Sequence, residues 1–149
     1  MKIMIAIDDS AHSRAALESV LGRPWNEGTQ AKILAVLEPF HPDYAGWDPS
    51  AIQDALDFQV AARAEAEKFA ELAAEQMTAK FGKENVTFEV KEGRVKETIL
   101  DIAHSWSADL LVMGSHGRSG IQKFLLGSVS QAVVAHAPCS VEIVKRKST

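Results

Sequence analysis

Short, β-branched apolar runs alternate with stretches of helical period along nearly the whole chain. This alternation limits the possible folds more than any other feature. Lys2 to Ile7 is a compact apolar run suited to a strand buried on both faces. Asp8-Asp9-Ser10 follows, with Ser10 placed to cap a helix. Ala15, Ala16, Leu17, Val20 and Leu21 then recur at helical spacing until Gly22 and Pro24 stop them. Ala31 to Leu37 is a second strand. Glu38 to Trp47, with two prolines and a glycine, has no period and reads as a loop. Asp48-Pro49 reads as an N-cap followed by proline at the first helical position. From there to Phe81 the chain is rich in helix formers, with Ala62, Ala66, Phe69, Ala73 and Met77 on one face. A single helix of this length would extend about 50 Å at about 1.5 Å per residue. That exceeds the depth of a small domain, so its first turns are expected to bend, fray or reach toward a partner.

Gly82 ends that helix, and Val86 to Lys91 alternates as an edge or half-exposed strand does. Val95, Ile99, Leu100, Ile102 and Ala103 carry a third helical stripe. Ala108 to Met113 is a fourth strand, Gly127 to His136 a fourth helix broken by Ala137-Pro138, and Ser140 to Lys145 a fifth strand. Strands alternating with helices imply an α/β fold: one doubly wound domain over residues 1–149, a five-stranded parallel sheet, and helices on both faces. In such sheets ligands bind beyond the carboxyl ends of the strands, where the strand order reverses. The strand order itself is not readable from the pattern.

The fourth strand runs into the most distinctive segment, Gly114-Ser-His-Gly117-Arg-Ser-Gly-Ile-Gln-Lys-Phe-Leu-Leu-Gly127-Ser128. Glycines let a ligand approach the main chain closely. A loop that ends at a helix N-terminus presents N–H groups and partial positive charge, which suits phosphate. Arg118 and Lys123 add full charges, and Ser115, Ser119 and Ser128 add hydroxyls. The plainer alternative is a strand-to-helix turn that is glycine-rich only because it is sharp. No G-x-x-x-x-G-K-[ST] is present, and no G-x-G-x-x-G follows the first strand, so neither a P-loop nor a dinucleotide fingerprint explains the segment.

Composition narrows the partners. Net charge is −4 with no block of like charges, which argues against nucleic acid or an anionic membrane. No stretch approaches the length of a membrane span, and the apolar N-terminus is too short for a signal peptide, so the expected location is the cytoplasm. Cys139 is the only cysteine and reads as a small buried residue rather than a nucleophile. His12, His41, His104 and His136 share no metal-ligand spacing and read as surface or satisfied histidines, while His116 lies within the loop. Asp8 and Asp9 offer Mg²⁺ a water-mediated site of the few-carboxylate kind it accepts beside phosphates. They are equally readable as polar turn residues, Asp8 as part of the cap of the first helix.

The spacing Gly114-x2-Gly117-x9-Gly127-Ser128, with Asp8-Asp9-Ser10 after the first strand, resembles the nucleotide-binding signature of the ATP-binding universal stress proteins. The resemblance extends over nearly the whole chain. It implies the strand order 3-2-1-4-5, which would set Asp8 and the Gly114 loop across one crevice. It also implies roles for particular residues. Asp8 would lie near the ribose or adenine, and Val36 would offer backbone groups to adenine. Gly114 and Gly117 would approach the ribose and phosphates, and Gly127 and Ser128 would bind phosphates. Arg118 joins this set, although a basic residue there need not touch the ligand. ATP is the implied ligand. A homodimer through strand 140–145 is the implied assembly, and a client protein such as a transporter the implied target.

Two departures accompany the resemblance: Ser140 stands where the family often has proline, and Glu142 sits within the last strand. A buried, unpaired carboxylate there would be costly, so Glu142 must be solvated, paired with a partner's base, or a sign of altered dimer geometry. The expected function is that of an ATP-binding regulatory protein, not an enzyme. A slow ATPase or phosphotransferase is the first alternative, though no general base, arginine finger or metal cluster is identifiable. A nucleotide-free adaptor is the second, and the intact glycine–serine pattern argues against it.

Overall fold

The computed structural model of the chain describes residues 1–41, 48–117 and 126–147. Its elements are β1 (Lys2–Ile7), α1 (Ala11–Leu21), β2 (Gln30–Leu37), α2 (Pro49–Phe81), β3 (Val86–Glu92), α3 (Val95–Ser105), β4 (Leu110–Gly114), α4 (Ser128–His136) and β5 (Ser140–Val144). A single 3₁₀ turn, Lys83–Asn85, links α2 to β3. The sheet is parallel throughout with order β3-β2-β1-β4-β5, as the resemblance implied.

The period-2 alternation of β1 divides the core into two layers. Ile3, Ile5 and Ile7 pack with Ala16, Leu17 and Val20 of α1 and with Ala70, Ala73, Ala74 and Met77 of α2. Met4 and Ala6 face the other way, toward Ile99 and Ala103 of α3 and Val133 of α4. Ile3, Met4 and Ile5 are fully buried, each stabilising the fold by roughly 1.5–3 kcal/mol. The helices thus divide between the faces, α1 and α2 on one and α3 and α4 on the other.

Local sequence signals set the helix ends. The Ser10 side chain accepts from the Ser13 N–H at the start of α1, and Gly22 closes the helix. Asp48 caps α2 through Ser50, whose hydroxyl and N–H both donate to its carboxylate and hold the carboxyl below its ordinary range. Gly82, at φ +86, ends α2 in a conformation that favours glycine.

The long α2 neither breaks nor unwinds: its 33 residues form one helix. None of its residues before Ala66 is buried, and Leu56, Phe58 and Val60 are exposed. Four strand ends differ from the sequence reading: β2 begins at Gln30 rather than Ala31, and β3 runs to Glu92 rather than Lys91. β4 begins at Leu110 rather than Ala108, because residues 106–109 make the turn that closes α3. Ser107 sits at φ 55, Ala108 N–H donates to Ala103 O, and Asp109 N–H already donates to Lys2 O. β5 stops at Val144, one residue short of Lys145.

Cys139 is half-buried beside the α3–α4 layer. Burial, together with the charge of Asp109, pushes its thiol above the ordinary range. No helix among the described residues is long and apolar enough to cross a membrane.

Candidate functional site at the crest of the sheet

β1 and β4 are neighbours at the centre of the sheet, yet the chain leaves them toward opposite faces, α1 on one side and α4 on the other. The strand order therefore reverses at the carboxyl ends of β1 and β4. This is the place where doubly wound sheets hold ligands.

Asp8 directly follows β1 at this point. Its Oδ1 accepts from Ser10 N–H at 2.9 Å and from Ser13 Oγ at 2.8 Å, while its own N–H donates to Ser13 Oγ. One carboxylate oxygen is thus committed to building the start of α1. The other, Oδ2, faces the glycine loop, where a Cβ on Gly117 would lie 3.1 Å from it. The plainer sequence reading of Asp8, as part of the cap of the first helix, describes Oδ1.

The glycines differ in what they do. A Cβ on Gly114 would lie 2.7 Å from the backbone of His12. Its bareness therefore lets the first turn of α1 seat on the end of β4. Gly117 is bare where the loop passes Asp8. Gly127 is the N-cap of α4 and provides no side-chain oxygen to that helix's first turn, and its N–H donates to Ser115 O at 2.8 Å. Ser128 opens α4. Arg118, Ser119 and Lys123 lie outside the described residues.

Ser115 is the knot of the loop. The residue is buried, and Oγ sits 3.3 Å from His12 Nδ1 and 3.1 Å from His116 Nδ1. Its N–H donates to Val144 O, and its carbonyl accepts from Gly127 N–H and from Ser130 Oγ. Ser130 Oγ also donates to Gly114 O. His12, Ser13 and Ser130 are the supporting residues that sequence reasoning missed. For Ser13 a signal existed, since a hydroxyl three residues beyond a Ser N-cap falls at the capping-box position. For His12 and Ser130 none did, because their partners are a hundred or more and some fifteen residues away.

Beside Ser128 lies a cleft of about 400 Å³ between the starts of α3 and α4, lined by Glu38, Arg94, Val95, Lys96, Glu97, Ser128 and Val129. That volume falls within the range of small-molecule sites. Two hydrogen bonds hold its rim, one within the backbone and one from a side chain: Gly93 N–H donates to Leu37 O, and Gln59 Nε2 donates to Glu38 O. Val36 lies one residue before the end of β2, half-buried against the α3–α4 layer. Among the described residues no three His, Cys, Asp or Glu side chains converge as they would around a metal ion.

The profile of the universal stress protein family matches residues 1–145. The chain belongs to the universal stress protein family. A universal stress protein of Thermus aquaticus is 34% identical over 143 residues, covering 96% of this chain and 97% of that protein. Another, from Synechocystis, is 29% identical over 97% of each chain. The solved structure of the hypothetical protein MJ0577 superposes with a TM-score of 0.84 at 24% identity, over 99% of this chain and 97% of that one. Two further structures of the family share the fold. One is a protein of Arabidopsis thaliana with AMP bound (TM-score 0.63, 20% identity, 99% and 93% covered). The other is a universal stress protein in complex with cAMP (TM-score 0.60, 22% identity, 97% and 95% covered). In this universal stress protein, Asp8, Gly114, Gly117, Gly127 and Ser128 gather around the crest, and Val36 lies one residue before the end of the strand beside it.

Proposed function

We propose that this universal stress protein binds ATP at the crest and acts as a cytoplasmic regulator whose hold on a client protein depends on the bound nucleotide. One observation carries the reading: the bare backbone of Gly117 passes Asp8 Oδ2 next to a helix that begins at Gly127-Ser128 without a side-chain cap. An uncapped helix start offers N–H groups and partial positive charge to phosphate, and the cleft beside Ser128 provides the volume for a nucleoside. The relatives with AMP and cAMP bound support a nucleotide of this class. Ser128 would hold phosphate through its N–H and hydroxyl, and Val36 would meet the base through its backbone. Asp8 Oδ2, with Asp9 near it, would take Mg²⁺ through water. A transporter is one class of client that such a regulator could serve.

The reading includes negligible catalysis. Among the described residues the hydroxyl of Ser115 sits beside two imidazoles, and it is buried and tied into the loop. It also includes a homodimer through β5, which lies at the edge of the sheet. The deciding experiment is calorimetry with ATP on the parent chain and on Gly117→Val. The branched side chain would collide with Asp8 and block the approach of a ligand, so ATP affinity should fall at least several-fold. Unchanged affinity in a folded variant would refute the assignment of the loop.

A further inference from the structure

Among the described residues, one buried side-chain oxygen has no hydrogen-bond partner: Oε2 of Glu97. Glu97 is the third residue of α3 and lines the cleft opposite Ser128. The partial positive charge of the α3 N-terminus makes a carboxylate tolerable there. It supplies no proton to the lone pairs of Oε2, and a buried acceptor left unpaired is costly. Buried polar groups without partners are rare enough in folded proteins that each one calls for an explanation.

The chemistry of the missing donor follows from that of the carboxylate. An ionised carboxylate only accepts hydrogen bonds. The phosphate end of a nucleotide brings acceptors and negative charge, which Glu97 would repel. The nucleoside end brings donors, namely the ribose hydroxyls and the exocyclic amine of the base. We infer that Glu97 accepts a hydrogen bond from a nucleoside donor of the ligand and selects against nucleotides that lack it. The ligand then lies across the cleft with its nucleoside toward α3 and its phosphates toward Gly127-Ser128 of α4. Oε2 is sealed from solvent as it stands, so it meets that donor when the whole carboxylate swings toward the cleft about the staggered sp³ torsions of the side chain. This inference rests on the adenine-nucleotide reading above.

The test is calorimetry of the parent chain, Glu97→Ala and Glu97→Gln with ATP, 2′-deoxy-ATP, 3′-deoxy-ATP and inosine triphosphate. These probes remove the 2′-hydroxyl, the 3′-hydroxyl and the base amine in turn. The parent should prefer ATP at least tenfold over one of the three analogues, which identifies the donor. In Glu97→Ala that preference should fall below twofold, and Glu97→Gln should reduce it in the same direction. Comparing preferences rather than affinities cancels the general gain from deleting a negative charge beside a polyanion. A parent that binds ATP but shows the same preferences as both folded variants overturns the role of Glu97 and leaves the nucleotide reading standing. A parent that binds none of the four overturns both.

Discussion

Three glycines of one loop, alike in the sequence, meet quite different surroundings in the fold. A side chain at Gly114 would press into the backbone of His12, a rigid neighbour. Gly114→Ala should therefore destabilise the protein by about 1–3 kcal/mol, the usual cost of overpacking. At Gly127 a Cβ would make only ordinary contact at 3.4 Å with Ser115 O, and its φ of −69° suits any residue. Gly127→Ala should cost clearly less, and urea unfolding of the two variants checks the order. Spacing alone exposed the motif, but it could not separate a glycine required by the seating of a helix from one that leaves room for a ligand. Asp8 shows the same limit. Its position after β1 marked it as a site residue, whereas the division of its two oxygens between Ser10, Ser13 and the loop depended on a helix start seen only in three dimensions.

The two edge strands carry the charges that the sequence could not place. Glu142 looked unsupported in β5, yet Arg23, just beyond the end of α1, grips it with two hydrogen bonds of 2.8 and 3.0 Å, and Ser19 adds a third. The base comes from the same chain, a pairing the local sequence could not reveal because 119 residues separate the two. Val144 turns its carbonyl toward Ser115, so its neighbour Ile143 turns its peptide group to the free edge. Ile143→Pro would then remove an outward donor without breaking a bond to β4. Light scattering should find a dimer for the parent and a monomer for this variant. A parent that is monomeric at micromolar concentration would rule out the β5 interface. On the opposite edge, partial burial works against the charge of Glu89 in β3, but the hydrogen bond from Lys91 and the charges of Lys32 and Lys91 outweigh it and lower its carboxyl pKa. A lowered folded-state pKa contributes stability above the unfolded value, and this is lost as pH falls through the folded one. Glu89→Gln should cost roughly 0.2–1 kcal/mol at neutral pH, as a partly exposed pair does, and the difference from the parent should vanish in acid.

Across the whole molecule, stability is unevenly spread. β1, β2 and β4 read clearly in the sequence because strands covered on both faces are almost wholly apolar, and the helices read from their caps. The behaviour of α2 did not, since its stripe of small residues continues past the point where the body ends. Met77 is fully buried and Phe58 is exposed. Met77→Ala should thus cost about 2–5 kcal/mol, while Phe58→Ala, a surface change, should stay within about 0.5 kcal/mol. Hydrogen exchange should be faster before Ala66 than after it. The strand order carries a kinetic consequence as well. β1 reaches β2 across one crossover, but it pairs with β4, Ile3 against Leu110, only after most of the chain has been made. Such distant pairing forms late, because the chain entropy of closing the long loop must be met before the contact forms. Until β4 arrives, the central strand is itself an open edge able to recruit the wrong neighbour. Truncating Val112 should accordingly speed unfolding far more than it slows folding, whereas truncating Ile33, on the early side of β1, should slow folding in stopped-flow measurements.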